Sequence, residues 1–313
     1  GLQAAFSAAC AAADGISGKE ETAGGGGGDA KPHTPGVDTA GLLRILYHLV
    51  RPKGPFHPDS YCPTPRPTAR AATVSQPVAR PSAHPERVSP VVFERFVPER
   101  LLGEGGQGKV YLGRYNDIRC AGKTFLRNPP DESLRKEVLA ELEFFRKVDH
   151  PHCHYLLGAK TTLRQGGILV LTEACDGGSL FDLYYGADAR ITAPTAWRFA
   201  SECAQGLAYI HGLGYMHRDV KSLNVFLTGD LVCQMADFGM CTSKETSVDV
   251  CGTAQWMAPE VAAHVLSKRA AEYDRRCDVY SYGVLLWEIF HSSVPYMETR
   301  LDQMAVVRRV VDS

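Results

Sequence analysis

The most informative stretch of the 313-residue sequence is H-R-D-V-K-S-L-N at 217–224, which is followed by D-F-G at 237–239. Between these motifs lie the apolar run V-F-L, a T-G-D turn and the run L-V-C-Q-M-A, a pattern typical of a small β-hairpin. Acidic and amide side chains at the two ends of such a hairpin direct oxygen ligands toward one point. Oxygen ligands suit Mg²⁺, which binds one or two carboxylates together with the phosphate oxygens of a substrate.

A glycine-rich turn occurs earlier in the chain. The segment L-L-G-E-G-G-Q-G-K-V-Y at 101–111 predicts a strand, a turn and a second strand. Glycines lack a Cβ and therefore let backbone N–H groups come close to phosphate oxygens. No helix pattern follows the turn, which argues against a dinucleotide-binding fold. Taken alone, the same glycine pattern also fits an ordinary tight hairpin.

A lysine and a predicted helix come next. Lys123 follows Gly122, a glycine that weakens the packing of the predicted strand. Apolar residues recur with helical spacing over 132–148, and Glu141 falls on the same face as these residues. A carboxylate there needs a cation, because burying an unpaired charge is costly. Lys123 is the expected partner at about 4 Å, where the attraction is about 4 kcal/mol before desolvation; Glu137 is the alternative.

The order of these motifs resembles that of the eukaryotic protein kinases, which continue with A-P-E, present here at 258–260. The segments W-M-A-P-E and D-V-Y-S-Y-G-V-L-L-W-E are most similar to the tyrosine-kinase-like group, which includes the Raf and mixed-lineage types. Lys221, two residues after Asp219, follows the Ser/Thr-kinase pattern. The resemblance covers residues 93–313, and a complete kinase would continue through further helices after Ser313.

The resemblance implies an α+β, two-lobed kinase fold. Its N-lobe, at about 93–173, would contain a small antiparallel β-sheet and one helix, and its C-lobe, at about 177–313, would be mainly helical. The polar side chains of the motifs would converge around a magnesium nucleotide between the lobes. Asp278, at the start of a helix that is apolar nearly all round, is expected to hold the backbone of the catalytic loop.

The implied reaction is transfer of the γ-phosphoryl group of ATP to Ser or Thr hydroxyls of protein substrates in signalling. Asp219 would orient the acceptor hydroxyl, and Lys221 would steady the γ-phosphate. Asn224 and Asp237 would hold the Mg²⁺ ions. Thr253 is read as structural, lining the active site.

Nucleotide binding is assigned by the same resemblance. Lys123, oriented by Glu141, would bind the α- and β-phosphates, while Val110 would cover the adenine ring. The segment E-A-C-D-G-G at 173–178 resembles the hinge, whose backbone groups bind the adenine edge. The candidate nucleotide-binding residues are Gly103, Glu104, Gly105, Gly106, Gln107, Gly108, Val110, Ala121, Lys123, Glu141, Glu173, Cys175 and Phe226.

Other readings remain open at this point. A pseudokinase or scaffold, which binds nucleotide or partners without turnover, is the rival, because Gly122 departs from the family pattern and C-terminal helices are missing. Tyrosine specificity is a third possibility. Arg218 beside the catalytic Asp219 could pair with a phosphate that an upstream kinase adds to the 242–247 segment. The candidate hydroxyls are those of Thr242, Ser243, Thr246 and Ser247.

Composition limits the remaining classes. Residues 1–92 are rich in Ala, Gly, Pro, Ser and Thr, and a disordered tail is expected there, with a short helix at 42–50 as a local alternative. A net charge of −1 gives no general reason to expect nucleic acid. No uncharged apolar run reaches the ~18 residues of a membrane span.

The ten cysteines form no C-x-x-C pair, so they are expected as free thiols in a reducing, cytoplasmic setting. The cluster His150, His152, Cys153 and His154 suggests a metal site at first sight. A turn after the preceding helix is the favoured reading.

Overall fold

The computed structural model describes residues 95–312 except 106–107, 126–131, 161–167, 186–190, 268–271 and 298–300. The predicted tail and its helix at 42–50 lie outside the described residues, as does the side chain of Glu137. The described chain divides into two compact units. The first contains residues 95–183 and 223–241, and the second contains 184–222 and 242–312.

The first unit is built on a five-stranded antiparallel sheet with the spatial order β1-β2-β3-β5-β4. Its strands are β1 (Phe96–Gly105), β2 (Gly108–Tyr115), β3 (Ile118–Phe125), β4 (Leu156–Lys160) and β5 (Ile168–Glu173). Helix α1 (Glu132–Phe145) lies between β3 and β4 in the sequence. Alternate residues of a strand point to the same side, and one side of the sheet carries the apolar core. Its members are Phe96, Tyr115, Cys120, Tyr155, Leu157, Leu169 and Leu171.

The predicted hairpin is present and belongs to the first unit. It consists of β6 (Val225–Leu227) and β7 (Cys233–Met235), paired antiparallel. The backbone N–H of His154 donates to the carbonyl of Met235 at 2.8 Å, which attaches the hairpin beside β4. This hydrogen bond places the polar residues at the hairpin's ends in the same unit as the sheet.

Phe238, directly after the hairpin, is buried against α1. Its ring meets those of Phe144 and Phe145 edge-on, with centroids 5.0 Å apart in both pairs. Edge-to-face aromatic pairs of this kind add about 0.5–1.5 kcal/mol to the burial of their area. The position of the D-F-G motif is therefore fixed by the C-terminal end of α1.

The second unit is mainly helical. Its helices are α2 (Leu180–Tyr185), which begins in the first unit, α3 (Ala193–Gly212), α4 (Pro259–Leu266), α5 (Arg276–His291) and α6 (Gln303–Val311). Helix α3 is capped at its start, because the Thr192 hydroxyl accepts a hydrogen bond from the N–H of Thr195 at 3.4 Å. Helix α5 is the buried helix that the apolar run predicts, with Tyr282, Val284 and Leu285 fully inaccessible.

The sheet of the first unit and the helices of the second confirm the α+β class. All the cysteines that the structure describes are free thiols. Among the described helices, none combines the length and hydrophobicity that a membrane-spanning segment requires.

Candidate active site

The glycine-rich turn joins β1 and β2. Gly105 pairs with Gly108 across it, and Gly106 and Gln107 at its tip lie outside the described residues. A Cβ added to Gly108 would lie 2.1 Å from the carbonyl oxygen of Thr124 in the neighbouring strand. Only glycine therefore fits at the end of this turn.

Before the turn, Gly103 has no atom within 4 Å of the place where a Cβ would stand. Glu104 and Lys109 form an ion pair at 3.2 Å, and both side chains are at least one-third exposed. An exposed pair of this kind contributes little to stability. The strand before the turn thus has unoccupied space beside Gly103, and the charges of Glu104 and Lys109 neutralise each other within the hairpin.

Three candidate residues share one face of the sheet. Val110 pairs with Lys123 in the β2–β3 register, and Ala121 lies two residues before Lys123 on the same side. All three are partly exposed, whereas Gly122 between them is buried toward the other side. The structure therefore brings together the residues predicted to meet the adenine ring and the phosphates.

The predicted contact between Lys123 and Glu141 is wrong in its distance. The ion pairs within 4.0 Å that the described residues form do not include this one. Instead, the Lys123 ammonium lies 4.8 Å from the centroid of the Phe125 ring, a cation–π arrangement. Burial raises the pKa of Glu141, the nearby charge of Lys123 lowers it, and the net shift is upward. The two charges are thus close enough to interact but not in contact.

Glu141 and Asp237 approach the same glycine. A Cβ at Gly239 would lie 3.5 Å from Oδ1 of Asp237 and 3.7 Å from Oε2 of Glu141. Asp237 is exposed and adopts a left-handed backbone conformation with φ +59°. Its charge contributes to the raised pKa of Glu141. Two carboxylates in one place, with few partners of their own, favour a bound cation.

Asn224 lies at the same end of the hairpin as Asp237. Its side chain is buried, and its carbonyl accepts a hydrogen bond from the N–H of Ala236 at 2.8 Å. This bond ties the residue before β6 to the residue before Asp237. Within the described ranges, no group of three or more His, Cys, Asp or Glu side chains could hold a metal alone. A magnesium ion at these two residues would therefore need phosphate oxygens as further ligands.

The histidines of the 150–154 cluster have other roles. The His150 ring accepts a hydrogen bond from the N–H of His152 at 3.2 Å, and the His152 ring meets the carbonyl of Cys233 at 3.1 Å. His154 is buried, which lowers its pKa to about 4, and its ring meets that of Phe226 edge-on at 5.2 Å. The turn favoured by the sequence reading is thus what the structure shows.

Glu173 and Cys175 point their side chains at the hairpin. Oε1 of Glu173 accepts hydrogen bonds from Nε2 of Gln234 and from the N–H of Tyr155, both at 2.8 Å. Oε1 of Gln234 in turn accepts from the Cys175 thiol at 3.3 Å. Because these side chains are occupied, Glu173 and Cys175 can offer a nucleotide only their backbone groups. Sequence reasoning missed Gln234, since its partners lie some 60 residues away.

In the second unit, Asp219, Lys221 and Thr253 form a closed set of hydrogen bonds. The Lys221 ammonium donates to Oδ2 of Asp219 at 2.6 Å and to the Thr253 hydroxyl at 2.7 Å. The Thr253 hydroxyl donates to Oδ1 of Asp219 at 2.8 Å. Gly252 permits this approach, because at its φ of +99° a Cβ would lie 2.8 Å from the carbonyl oxygen of Arg218. The sequence placed Thr253 near the site but did not predict these bonds.

Asp278 holds the backbone of the catalytic loop, as predicted. Its fully buried carboxylate accepts from the N–H groups of His217 and Arg218, both at 2.7 Å, and contacts Nε2 of His211 at 2.8 Å. Burial alone would raise the pKa of Asp278, but these hydrogen bonds and nearby histidines lower it overall. Arg218 has a left-handed backbone with φ +68°, a conformation that persists only where neighbours enforce it.

The Arg218 side chain already has an acidic partner. Its guanidinium forms an ion pair with Asp249 at 3.1 Å and donates to the Ser247 hydroxyl at 3.4 Å. Ser247, one of the four candidate hydroxyls, is thus in contact with Arg218, but it is buried. Thr246 is exposed and donates to Glu272 at 2.8 Å, while Ser243 is exposed as well.

A second buried acid of α5, Glu288, was not singled out from the sequence. It contacts Ser222, next to Lys221, and Trp256, three residues after Thr253. A signal was available, because an acid inside an apolar helix must find partners or remain costly.

Comparison with known proteins identifies the family of this chain. The protein kinase domain family matches residues 96–311. The chain is 32% identical over 226 residues to the probable serine/threonine-protein kinase SIS8 of Arabidopsis thaliana, covering 70% of this chain and 21% of that protein. It is 33% identical over 198 residues to the serine/threonine-protein kinase STY46 of Arabidopsis thaliana, covering 62% and 33%.

A third relative is the putative mitogen-activated protein kinase kinase kinase 7-like protein of Drosophila melanogaster, 31% identical over 221 residues, covering 68% of this chain and 53% of that protein. The chain spans between about a fifth and a half of the length of these relatives. Because the family match covers more than half of the sequence, the chain belongs to the eukaryotic protein kinases, and its motifs and relatives place it in their tyrosine-kinase-like group.

Proposed function

We propose that this chain is the catalytic domain of a serine/threonine kinase, extending over about 93–313, that transfers the γ-phosphoryl group of ATP to protein substrates. The observation that carries the proposal is the hydrogen-bonded set of Asp219, Lys221 and Thr253. It holds a buried carboxylate and an ammonium group in a fixed relation. Phosphoryl transfer depends mainly on such positioning and on charge neutralisation.

In this reaction the acceptor oxygen forms a bond to the γ-phosphorus, and the bond between that phosphorus and the bridging oxygen breaks, leaving ADP. Asp219 would accept the hydrogen bond of the acceptor hydroxyl and orient the oxygen for attack. Lys221 would stabilise the charge on the transferred group. Thr253, which is hydrogen-bonded to both side chains, would hold Asp219 and Lys221 in their present positions relative to each other.

Nucleotide binding is proposed for the face of the sheet that carries Val110, Ala121 and Lys123, together with the glycine-rich turn. Lys123 would neutralise phosphate oxygens, and Glu141 would orient it once a nucleotide draws the ammonium away from Phe125. The hinge at 173–178 would contribute backbone groups only. Phe226 would contribute its partly exposed ring.

Asp237 and Asn224 would hold Mg²⁺. Their carboxylate and amide oxygens fit this ion, and the shared neighbourhood of Asp237 and Glu141 supports a bound cation. The ion supplies charge neutralisation to the phosphates when it is bound. The reduced state of the described cysteines fits a cytoplasmic location, which we include in the proposal.

Regulation by an upstream kinase acting on the 242–247 segment is also proposed. Because Asp249 already pairs with Arg218, a phosphate on this segment would have to compete with that carboxylate. Of the candidates, Ser243 and Thr246 are accessible without rearrangement. Mass spectrometry of the purified chain before and after treatment with a phosphatase would locate any phosphate.

The test is phosphorylation of casein by the purified chain with ATP, with and without Mg²⁺. Turnover should require Mg²⁺ and should fall to background in Asp219→Asn and Asp237→Asn. Phosphoamino-acid analysis should show phosphoserine or phosphothreonine. Asp230→Asn, which makes the same change at the exposed turn of the hairpin, is the matched control and should retain activity.

Turnover that is unchanged in Asp237→Asn would contradict the metal assignment. A well-folded wild-type chain that binds ATP without turnover would instead favour the scaffold. Phosphotyrosine as the main product would overturn the proposed specificity.

A further inference from the structure

We propose that Glu288 is a positioning residue for phosphoryl transfer, which fixes the end of the catalytic loop relative to the segment that carries Thr253. The inference rests on the proposed function, because it concerns the same Asp219 and Lys221. No part of it involves contact of Glu288 with a substrate.

Glu288 is fully inaccessible, and each of its carboxylate oxygens has a different partner. Oε1 accepts a hydrogen bond from the hydroxyl of Ser222, and Oε2 accepts from the indole N–H of Trp256 at 3.1 Å. Ser222 directly follows Lys221, and Trp256 lies three residues after Thr253. One side chain therefore joins the two segments that also meet through Asp219, Lys221 and Thr253.

The two connections are parallel. The first, which is partly buried, runs through Lys221 and Thr253. The second runs through Glu288 in the core. A lone contact lets two segments pivot about it, whereas two contacts along the same pair of segments also fix their orientation. Glu288 thereby limits how far the Lys221 ammonium can move from Asp219.

The chemistry of the partners argues against a purely electrostatic role. Among the described residues, the ion pairs within 4.0 Å include none to Glu288. Its donors are a neutral hydroxyl, an indole N–H and a backbone amide, and burial raises its pKa to about 7. A buried acid without a cation costs stability. Its presence in an otherwise apolar part of α5 is therefore explained better by the two contacts that it fixes than by stability.

Helix α5 uses other side chains in the same way. Asp278 holds the backbone of Arg218, and the hydroxyl of Ser281 donates to the carbonyl of Trp256 at 2.7 Å. Asp278 and Glu288 are ten residues apart, which is about 15 Å along the helix axis. Ser281 and Glu288 lie on the same side as Asp278, because a step of three residues is nearly one turn and a step of seven is nearly two. Glu288 extends this row to the far end of the catalytic loop.

The variants Glu288→Leu, Ser222→Ala and Trp256→Phe test the proposal in steady-state kinetics. Each removes buried hydrogen bonds from the core connection, so kcat should fall about tenfold or more. The KM for ATP should change less than about twofold, because the predicted nucleotide-binding residues belong to the first unit. Glu288→Gln should restore most of kcat, since its amide can accept from Trp256 and donate to the Ser222 oxygen.

Tyr282→Phe is the matched control for stability. The Tyr282 hydroxyl is buried in the same helix, but it donates to the carbonyl of Ala200 in α3 at 2.9 Å. Its loss should lower the melting temperature without lowering kcat. If Tyr282→Phe reduces kcat as strongly as Ser222→Ala, or if Glu288→Leu keeps wild-type kcat, the proposal is overturned.

A readout independent of activity separates this proposal from the proposed function. The indole N–H signal of Trp256 in ¹H–¹⁵N spectra, assigned by its loss in Trp256→Phe, should move in Glu288→Leu and stay near its wild-type position in Glu288→Gln. An inactive wild-type chain that shows this pattern would contradict the kinase assignment but not the contact. An indole signal that is unchanged in Glu288→Leu would refute the contact itself.

Discussion

The hydroxyl of Thr253 donates a hydrogen bond of 2.8 Å to Asp219 and accepts one of 2.7 Å from Lys221. Thr253 is therefore the uncharged member of a set of three, in which Asp219 and Lys221 form an ion pair at 2.6 Å. Without the hydroxyl, Lys221 would keep Asp219 as its partner but lose its second acceptor. The carboxylate would keep the ammonium at Oδ2 but lose the hydroxyl donor at Oδ1.

Thr253→Val should accordingly lower kcat about ten- to hundredfold, through the loss of two hydrogen bonds to charged groups. Thr253→Ser, which keeps the hydroxyl, should stay within a few-fold of wild type. Steady-state phosphorylation of casein measures both. Thr228→Val removes a hydroxyl that accepts from Val232 at the hairpin turn and should leave kcat close to wild type. Equal kcat in Thr253→Val and wild type would show that this contact does not matter for turnover.

Asp278 predicts a pH dependence of stability. Its pKa in the folded chain is lower than in the unfolded chain, because buried N–H groups and histidines favour the ionised form. The stabilisation is therefore present above the unfolded pKa of about 4 and is lost as the pH falls through the folded pKa. Asp278→Asn should cost about 2–4 kcal/mol at pH 7.

Urea unfolding of wild type and Asp278→Asn between pH 3 and pH 7 measures this difference, which should shrink below pH 4. Asp230→Asn, at an exposed turn, should show little difference at any pH. If the free energies of unfolding of wild type and Asp278→Asn differ by the same amount at every pH in this range, the ionised carboxylate is not what holds the loop.

The sequence predicted the elements whose patterns are local. The hairpin at 225–235 followed from two short runs and a turn, and α5 followed from a stretch that is apolar nearly all round. The contact of Asp278 with the catalytic loop was also predicted, as part of what the kinase resemblance implies for the start of this helix. The joint use of residues from both units on one nucleotide stays a prediction.

Contacts that depend on distant partners were not foreseen. Gln234 meets Glu173 across 61 positions of sequence, and Ser222 meets Glu288 across 66. No periodicity links such pairs. The distance from Lys123 to Glu141 was wrong for a different reason, because a long, flexible side chain can choose between a carboxylate and the Phe125 ring, and spacing does not decide between them.

His154 should make the first unit sensitive to acid. Burial lowers its pKa to about 4 in the folded chain, against about 6.5 unfolded. The unfolded chain therefore binds the proton first, and stability present above pH 6.5 is lost as the pH falls toward 4. The loss can reach about 3 kcal/mol.

His154→Leu should remove this slope while costing stability at pH 7 through the lost contact with Gln234. The free energies of unfolding of the two chains should thus converge between pH 6.5 and pH 4. If the wild-type curve runs parallel to that of His154→Leu, the histidine is not buried in its neutral form.

Gly122 and Phe96 should show coupled energetics. The Phe96 ring covers Gly122, and a Cβ at position 122 would lie 2.4 Å from Cζ and 2.6 Å from Cε1 of that ring. The glycine that departs from the kinase pattern is therefore matched by an aromatic ring in the space that a branched residue would fill. Gly122→Ala should cost about 1–3 kcal/mol by overpacking, because the buried ring has to move.

Phe96→Leu shortens the obstructing side chain, so the double variant should be less destabilised than the sum of the two single variants by about 0.5–3 kcal/mol. Urea unfolding of wild type, the two single variants and the double variant measures this coupling energy. Gly229→Ala, at a turn where a Cβ would meet nothing within 4 Å, is the control and should stay near wild-type stability. Simple additivity of Gly122→Ala and Phe96→Leu would show that the ring is not what keeps residue 122 a glycine.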